Sequence, residues 1–133
     1  MEIMIDTNVI ISAALFPSPK MTELIKLITQ DNSIVLCSYV LNELSDVVQR
    51  KFPDKQRNVE IFLQKLPYTL VRTPELNLIE MDISIRDDAD YPVLMSAILC
   101  DVDILITGDH DFKDISIEKP EILTPAEFLK RYW

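Results

Sequence analysis

Glycine is almost missing from this chain. Gly108 is the single glycine in 133 residues, so flexible glycine-rich linkers are excluded. Histidine is equally scarce. With His110 alone, a zinc site built from several histidines is ruled out, although one histidine does not exclude a Ser-His-Asp arrangement. Cys37 and Cys100 are too few and too far apart for a disulfide framework or a zinc cluster, and they read as buried reduced thiols. No apolar run reaches the roughly 18 residues that a membrane span needs. The first residues, Met1 to Asp6, carry no basic segment before their apolar stretch. That argues against a signal peptide and for a cytoplasmic protein. No repeat or low-complexity stretch is present.

Carboxylates are what the chain has in abundance. There are 22 Asp and Glu against 13 Lys and Arg, a formal net charge of −9. An acidic chain is a poor generic binder of nucleic acid, because phosphates are held by Lys and Arg. It can still act on nucleic acid if divalent cations screen the site. The plainer use of net charge is solubility. Hydrophobic residues make up 48%, enough for a real core, and the length suits one domain over residues 1–133.

The apolar pattern alternates short runs with amphipathic stretches, which predicts an α/β fold. Strands are expected over residues 1–5, 33–37, 68–72, 103–107 and 122–123. Helices are expected over 8–15, 21–29, 39–52, 55–66 and 91–99, with a short helix or turn over 76–81. Ser38 is a candidate N-cap for the third of these helices. The string Thr124-Pro125-Ala126-Glu127 combines a cap, a proline at the first helical position and an acid three residues on. It reads as a capping box opening a last helix to about Tyr132. Strands repeatedly followed by helices imply a mainly parallel sheet covered on both faces. Their carboxyl ends then share one edge, where ligands bind.

Four acids are expected at that edge. Asp6 follows the first strand and Asp109 the fourth, and both strands are apolar enough to be central. Asp90 precedes the helix leading into the fourth strand. Glu43 lies one turn into the helix after the second. Converging carboxylates repel one another unless they protonate or a cation neutralises them. An all-oxygen set suits Mg²⁺ or Mn²⁺ better than zinc. Such an ion can activate water toward a phosphodiester and stabilise charge on its oxygens. Each acid taken singly has a plainer role. Asp6 could cap the helix after it, and Asp90 its own. Gly108 fits a sharp turn presenting Asp109, through positive φ or close backbone approach, or an ordinary turn.

The strings Ile5-Asp6-Thr7-Asn8-Val9, Asn42-Glu43-Leu44, Arg86-Asp87-Asp88-Ala89-Asp90 and Ile106-Thr107-Gly108-Asp109-His110-Asp111-Phe112 resemble, in order and spacing, the signature of the PIN-domain ribonucleases. The closing Ile122-Leu123-Thr124-Pro125-Ala126-Glu127-Phe128-Leu129 agrees with it. The resemblance covers nearly the whole chain. It implies a three-layer α/β/α fold with a central, mainly parallel sheet of about five strands. It also implies Mg²⁺- or Mn²⁺-dependent cleavage of single-stranded RNA. Many members of this size are VapC-like toxins held by an antitoxin, and commonly homodimers. By position, Asp6, Glu43, Asp90 and Asp109 resemble the metal-binding catalytic acids. Thr7, Asn8 and Thr107 resemble polar supports, and Asp111 an extra acid. The region before Asp90 departs from the pattern: Asp87, Asp88 and Asp90 are all present and a proline often found there is missing. Asp90 is preferred over Asp87 because it sits three residues before Val93 in the apolar helix.

Two other readings compete. One is a phosphotransfer or phosphatase-like α/β domain with Asp6 as nucleophile, against which stands the lack of a lysine after a late strand. The other is a non-catalytic module that keeps the PIN fold.

Overall fold

A computed structural model of the chain describes residues 1–73, 91–109, 112 and 117–132. The strands are β1 (Glu2–Ile5), β2 (Ser33–Cys37), β3 (Tyr68–Val71), β4 (Ile104–Ile106) and β5 (Glu121–Leu123). The helices are α1 (Thr7–Leu15), α2 (Pro19–Gln30), α3 (Ser38–Lys51), α4 (Gln56–Lys65), α5 (Tyr91–Leu99) and α6 (Pro125–Tyr132), with a 3₁₀ turn over Pro53–Lys55. The short element expected over residues 76–81 lies outside the described residues. None of the described helices is long and apolar enough to cross a membrane.

The sheet has the order β3-β2-β1-β4-β5, and every pairing is parallel. This is the three-layer α/β architecture that the resemblance implies, with the first strand in the middle. The reason is visible in the side chains. Ile3, Met4 and Ile5 of β1 and Ile34, Val35, Leu36 and Cys37 of β2 are all buried, so both faces of these strands are covered. Continuous apolar runs of this kind suit only the inner strands of a two-sided sheet. From β1 the chain steps outward to β2 and β3, then returns to the other side for β4 and β5. The reversal falls between β1 and β4, the kind of switch point where parallel sheets open a crevice at their carboxyl edge.

The helix starts at α2 and α6 follow local chemistry, and the one expected at α3 does not. In α6 the capping box forms as expected: Glu127 N donates to Thr124 Oγ1 at 3.1 Å and Thr124 N to Glu127 Oε1 at 3.1 Å. In α2 the side chain of Ser18 caps, accepting from Met21 N at 3.2 Å. Ser38, expected to cap α3, does not. It is the first helical residue, and the cap comes from across the sheet. Thr73, just past β3, accepts from Tyr39 N at 2.8 Å through Oγ1. Its own N–H donates to Ser38 Oγ at 3.0 Å. We expect Thr73→Ala to cost about 1 kcal/mol, read as a lower urea midpoint at unchanged slope.

The far end of α5 closes on Asp101, whose φ of 54° is left-handed. Val102 N bonds Ala97 O at 3.2 Å and Asp101 N bonds Ile98 O at 3.0 Å, the pairing usually completed by glycine. Aspartate is one of the few other residues that tolerates this conformation. Helix α5 is buried almost all round, through Pro92, Val93, Leu94, Met95, Ser96 and Ala97. Its Ser96 hydroxyl is absorbed by Pro92 O at 2.8 Å. Both cysteines are free thiols, Cys37 buried as expected and Cys100 only partly so.

Candidate active site

The centre of the carboxyl edge is built from two short strings a hundred residues apart. Asp6-Thr7-Asn8 leaves β1, and Thr107-Gly108-Asp109 leaves β4. The Asp6 N–H continues the ladder to Ile106 O at 2.9 Å. Beyond it, side chains take over. Thr107 Oγ1 donates to Asp6 Oδ2 at 2.8 Å and accepts from the Asp109 N–H at 3.1 Å. Because the hydroxyl accepts from a backbone amide, its proton is directed at the carboxylate, and the two bonds polarise each other. Gly108 N donates to Asn8 Oδ1 at 3.2 Å. The turn after β4 is thereby fastened to the first turn of α1 at two points.

Asp6 also caps α1, as its plainer reading had it: Oδ1 accepts from Thr7 N at 2.8 Å. Its side chain is nonetheless buried, at 5% exposure. Burial pushes its pKa above the ordinary 3.8, the bonds from Thr107 and Thr7 pull it down, and the charges of Glu43 and Asp109 push it up again. Two hydrogen bonds to a carboxylate would ordinarily hold it ionised. Here desolvation prevails.

Glu43, near the start of α3, and Asp109, after β4, are both half-buried and near enough to act on Asp6. Asp90, with the neighbouring Asp87 and Asp88, lies outside the described residues, and so do Asp111 and His110. Among the described residues, no three Asp, Glu, His or Cys side chains stand close enough to hold one ion. The donors that are described do suit a hard divalent cation chemically. They are all oxygen, Asp6 is pressed toward neutrality by burial and then by like charge, and the Thr7 hydroxyl is buried with no hydrogen-bond partner among the described residues. An orphaned buried hydroxyl costs roughly 1–3 kcal/mol, and it stands beside the most buried acid.

Gly108 does not use positive φ, contrary to one expectation drawn from its place in the turn. A Cβ added there would first meet Asn8 atoms at 3.6–3.7 Å, an ordinary contact. We therefore expect Gly108→Ala to fold with stability within about 0.5 kcal/mol of wild type, measured by urea unfolding.

The basic residues between α3 and α4 are mostly surface groups. Arg50, Lys51 and Arg57 are exposed, while Lys55 sits 5.0 Å over the Phe16 ring. At the C-terminus, Phe128 is core at 1% exposure, its ring 4.7 Å from that of Tyr132. Trp133 lies outside the described residues. The sequence pattern did not single out Thr73, nor the part that Ser12, Met21 and Pro125 play beside Asn8. None of these carries a charge, and the one motif among them, the capping box that holds Pro125, points to a helix start and not to a site.

A sequence model of the PIN domain matches residues 2–111, from the first strand to just past Asp109. A search among curated proteins finds no match. Among solved structures, the chain is similar to the crystal structure of VapBC2 from Rickettsia felis bound to a DNA fragment from their promoter. The two share 22% identity over 92% of this chain and 97% of that one, with a TM-score of 0.69. At that identity the likeness is one of fold.

Proposed function

Because the chain belongs to the PIN-domain family, we propose that it is a metal-dependent endoribonuclease that cleaves phosphodiester bonds in single-stranded RNA. In this reading it is the toxin of a toxin–antitoxin pair, acts as a homodimer in the cytoplasm, and is inhibited by an antitoxin protein. The similarity to a VapBC2 assembly supports the antitoxin partner. The observation that carries the nuclease reading is Asp6. A buried carboxylate sits at the switch point of the sheet, and its ionised form is disfavoured by burial and by two further acids.

Asp6, Glu43, Asp90 and Asp109 would hold Mg²⁺ or Mn²⁺. Such an ion, when bound, supplies charge to the phosphate oxygens and a more acidic water. The protein's part is positioning. Thr107 and the Thr7 amide fix both oxygens of Asp6, so the carboxylate need not reorganise when substrate arrives. The same Thr107 hydroxyl anchors the backbone of Asp109. Asn8 holds the turn through Gly108. Thr7 offers a buried hydroxyl, and Asp111 would extend the acidic edge.

The phosphotransfer alternative fares worse on electrostatics. Among the described residues, the charged groups that act on Asp6 are both negative, whereas a receiver- or haloacid-type phosphotransfer site usually sets a basic side chain beside the phosphate. The deciding experiment incubates purified protein with unstructured and hairpin RNAs in chelator, Mg²⁺ or Mn²⁺. Cleavage of the unstructured RNAs only when an ion is supplied is the expected result. Undiminished cleavage in chelator would reject the metal role. No cleavage, with neither ion bound, would favour the non-catalytic module.

A further inference from the structure

Beside the acids lies a cleft of about 260 Å³ lined by Asn8, Val9, Ser12, Met21, Gly108 and Pro125. None of these six residues is ionisable, in a chain where 26% of residues are charged. A neutral lining offers no charge to a phosphate or to a cation. The volume falls just under the roughly 300–1,000 Å³ of sites for drug-sized ligands, so it suits a single ring system.

One polar group in it has a fixed orientation. Gly108 N donates to Asn8 Oδ1, which decides which end of the amide is oxygen. Asn8 is exposed, so its two Nδ2 donors, which have no acceptor among the described residues, are open to solvent and to a ligand. Met21 and Pro125 supply apolar wall, and a thioether packs well against aromatic rings. Ser12 adds a hydroxyl. The cleft shares Asn8 and Gly108 with the two strings that carry Asp6 and Asp109, so a group held here is one short step along the chain from the scissile phosphate.

We infer that this cleft is a subsite for one base of the RNA, with Asn8 Nδ2 donating to a keto oxygen of that base. The inference rests on the nuclease reading and deepens it. RNA specificity is mostly read on unstacked single-stranded bases through their polar edges. A fixed amide donor fits a keto oxygen, which guanine and uracil present and cytosine carries as O2; adenine has none, offers only ring nitrogens as acceptors and presents an amino group where guanine has O6. Asn8 is exposed in the free protein, so the discrimination is that of one hydrogen bond made or lost when the base covers it.

The test uses RNA with a randomised single-stranded tract, cut in Mn²⁺ and sequenced at the new ends. The quantity read is the ratio between bases at each position flanking the cut, independent of total rate. Wild type should favour guanine or uracil over adenine at one position by roughly two- to tenfold, the value of about one hydrogen bond to a neutral group. Asn8→Ala should flatten that position alone. Ser12→Leu, which fills the cleft without touching an acid, should flatten the same position. Cleavage indifferent to base at every position, or a preference that survives both variants, would overturn the inference. If wild type cuts no RNA, the nuclease reading fails separately. The subsite is then read by titrating the metal-free protein with the four nucleoside 5′-monophosphates. Backbone amide shifts at Asn8, Ser12 and Gly108 with GMP or UMP, weaker with AMP, would support it. Shifts elsewhere or nowhere would overturn it.

Discussion

The Asp6→Asn protein is expected to lose metal-dependent RNA cleavage on the order of 10²–10³-fold, and yet to melt at a higher temperature than wild type in metal-free buffer at pH 7. The two effects have one origin. Asn keeps the shape and can still accept from Thr7 N, so the cap of α1 survives. Its amide nitrogen can donate to Thr107 Oγ1, reversing one bond. What disappears is a buried negative charge facing Glu43 and Asp109.

The pH dependence follows from the direction of the shift. The folded pKa of Asp6 lies above the unfolded 3.8, so folding favours the protonated form. Ionised Asp6 opposes folding in full above the folded pKa. That opposition fades as pH falls through the folded pKa and is gone below the unfolded one. The melting advantage of Asp6→Asn should therefore be largest at neutral pH and shrink toward acid. Thermal melts from pH 3 to 8 would show it. Added Mn²⁺ should raise the melting temperature of wild type and leave the variant unmoved. Equal cleavage by the two proteins would reject the assignment of Asp6.

Thr107→Val should destabilise the protein by about 1–3 kcal/mol, although it changes little in volume. The hydroxyl serves two partners at once. Without it Asp6 Oδ2 loses its 2.8 Å donor and the Asp109 N–H its 3.1 Å acceptor. Both are then without that partner at a site where Thr107 itself is 1% exposed. Losing the donor that lowers the Asp6 pKa also lets burial push it further up. The acid limb of the cleavage–pH profile should move to higher pH. Thr107→Ser keeps the hydroxyl and should stay near wild type in both measurements. A valine variant as stable as wild type would mean that the pair contributes nothing.

The course of the chain was legible for ordinary reasons. The buried strands β1, β2 and β4 are short apolar runs, and α2, α3 and α4 carry apolar residues at helical spacing, so period alone marks them. The box at Thr124–Glu127 was legible because both partners lie within one turn. Ser38 misled because capping was judged from neighbours in sequence, whereas the partner is Thr73, 34 residues from Tyr39. At Gly108 the sequence left positive φ, close backbone approach and an ordinary turn open, and the first is not used. Glycine permits positive φ without requiring it, and here the neighbouring contact is with Asn8.

The sequence by itself determined the strand-helix alternation, the parallel sheet and the family to which the chain belongs, because each is written in local spacing and in short strings of residues. It also marked Asp6, Thr107 and Asn8 as residues of interest. Only the tertiary structure decided what they do to one another: that Thr107 points its proton at Asp6, that Gly108 orients Asn8, that Glu43 and Asp109 lie near enough to repel Asp6, and that a neutral cleft opens beside them. Burial and direction are properties of groups a hundred residues apart meeting across one sheet edge. No window of sequence contains both partners, so no local pattern can report the desolvation that raises a pKa or the bond that sets a proton.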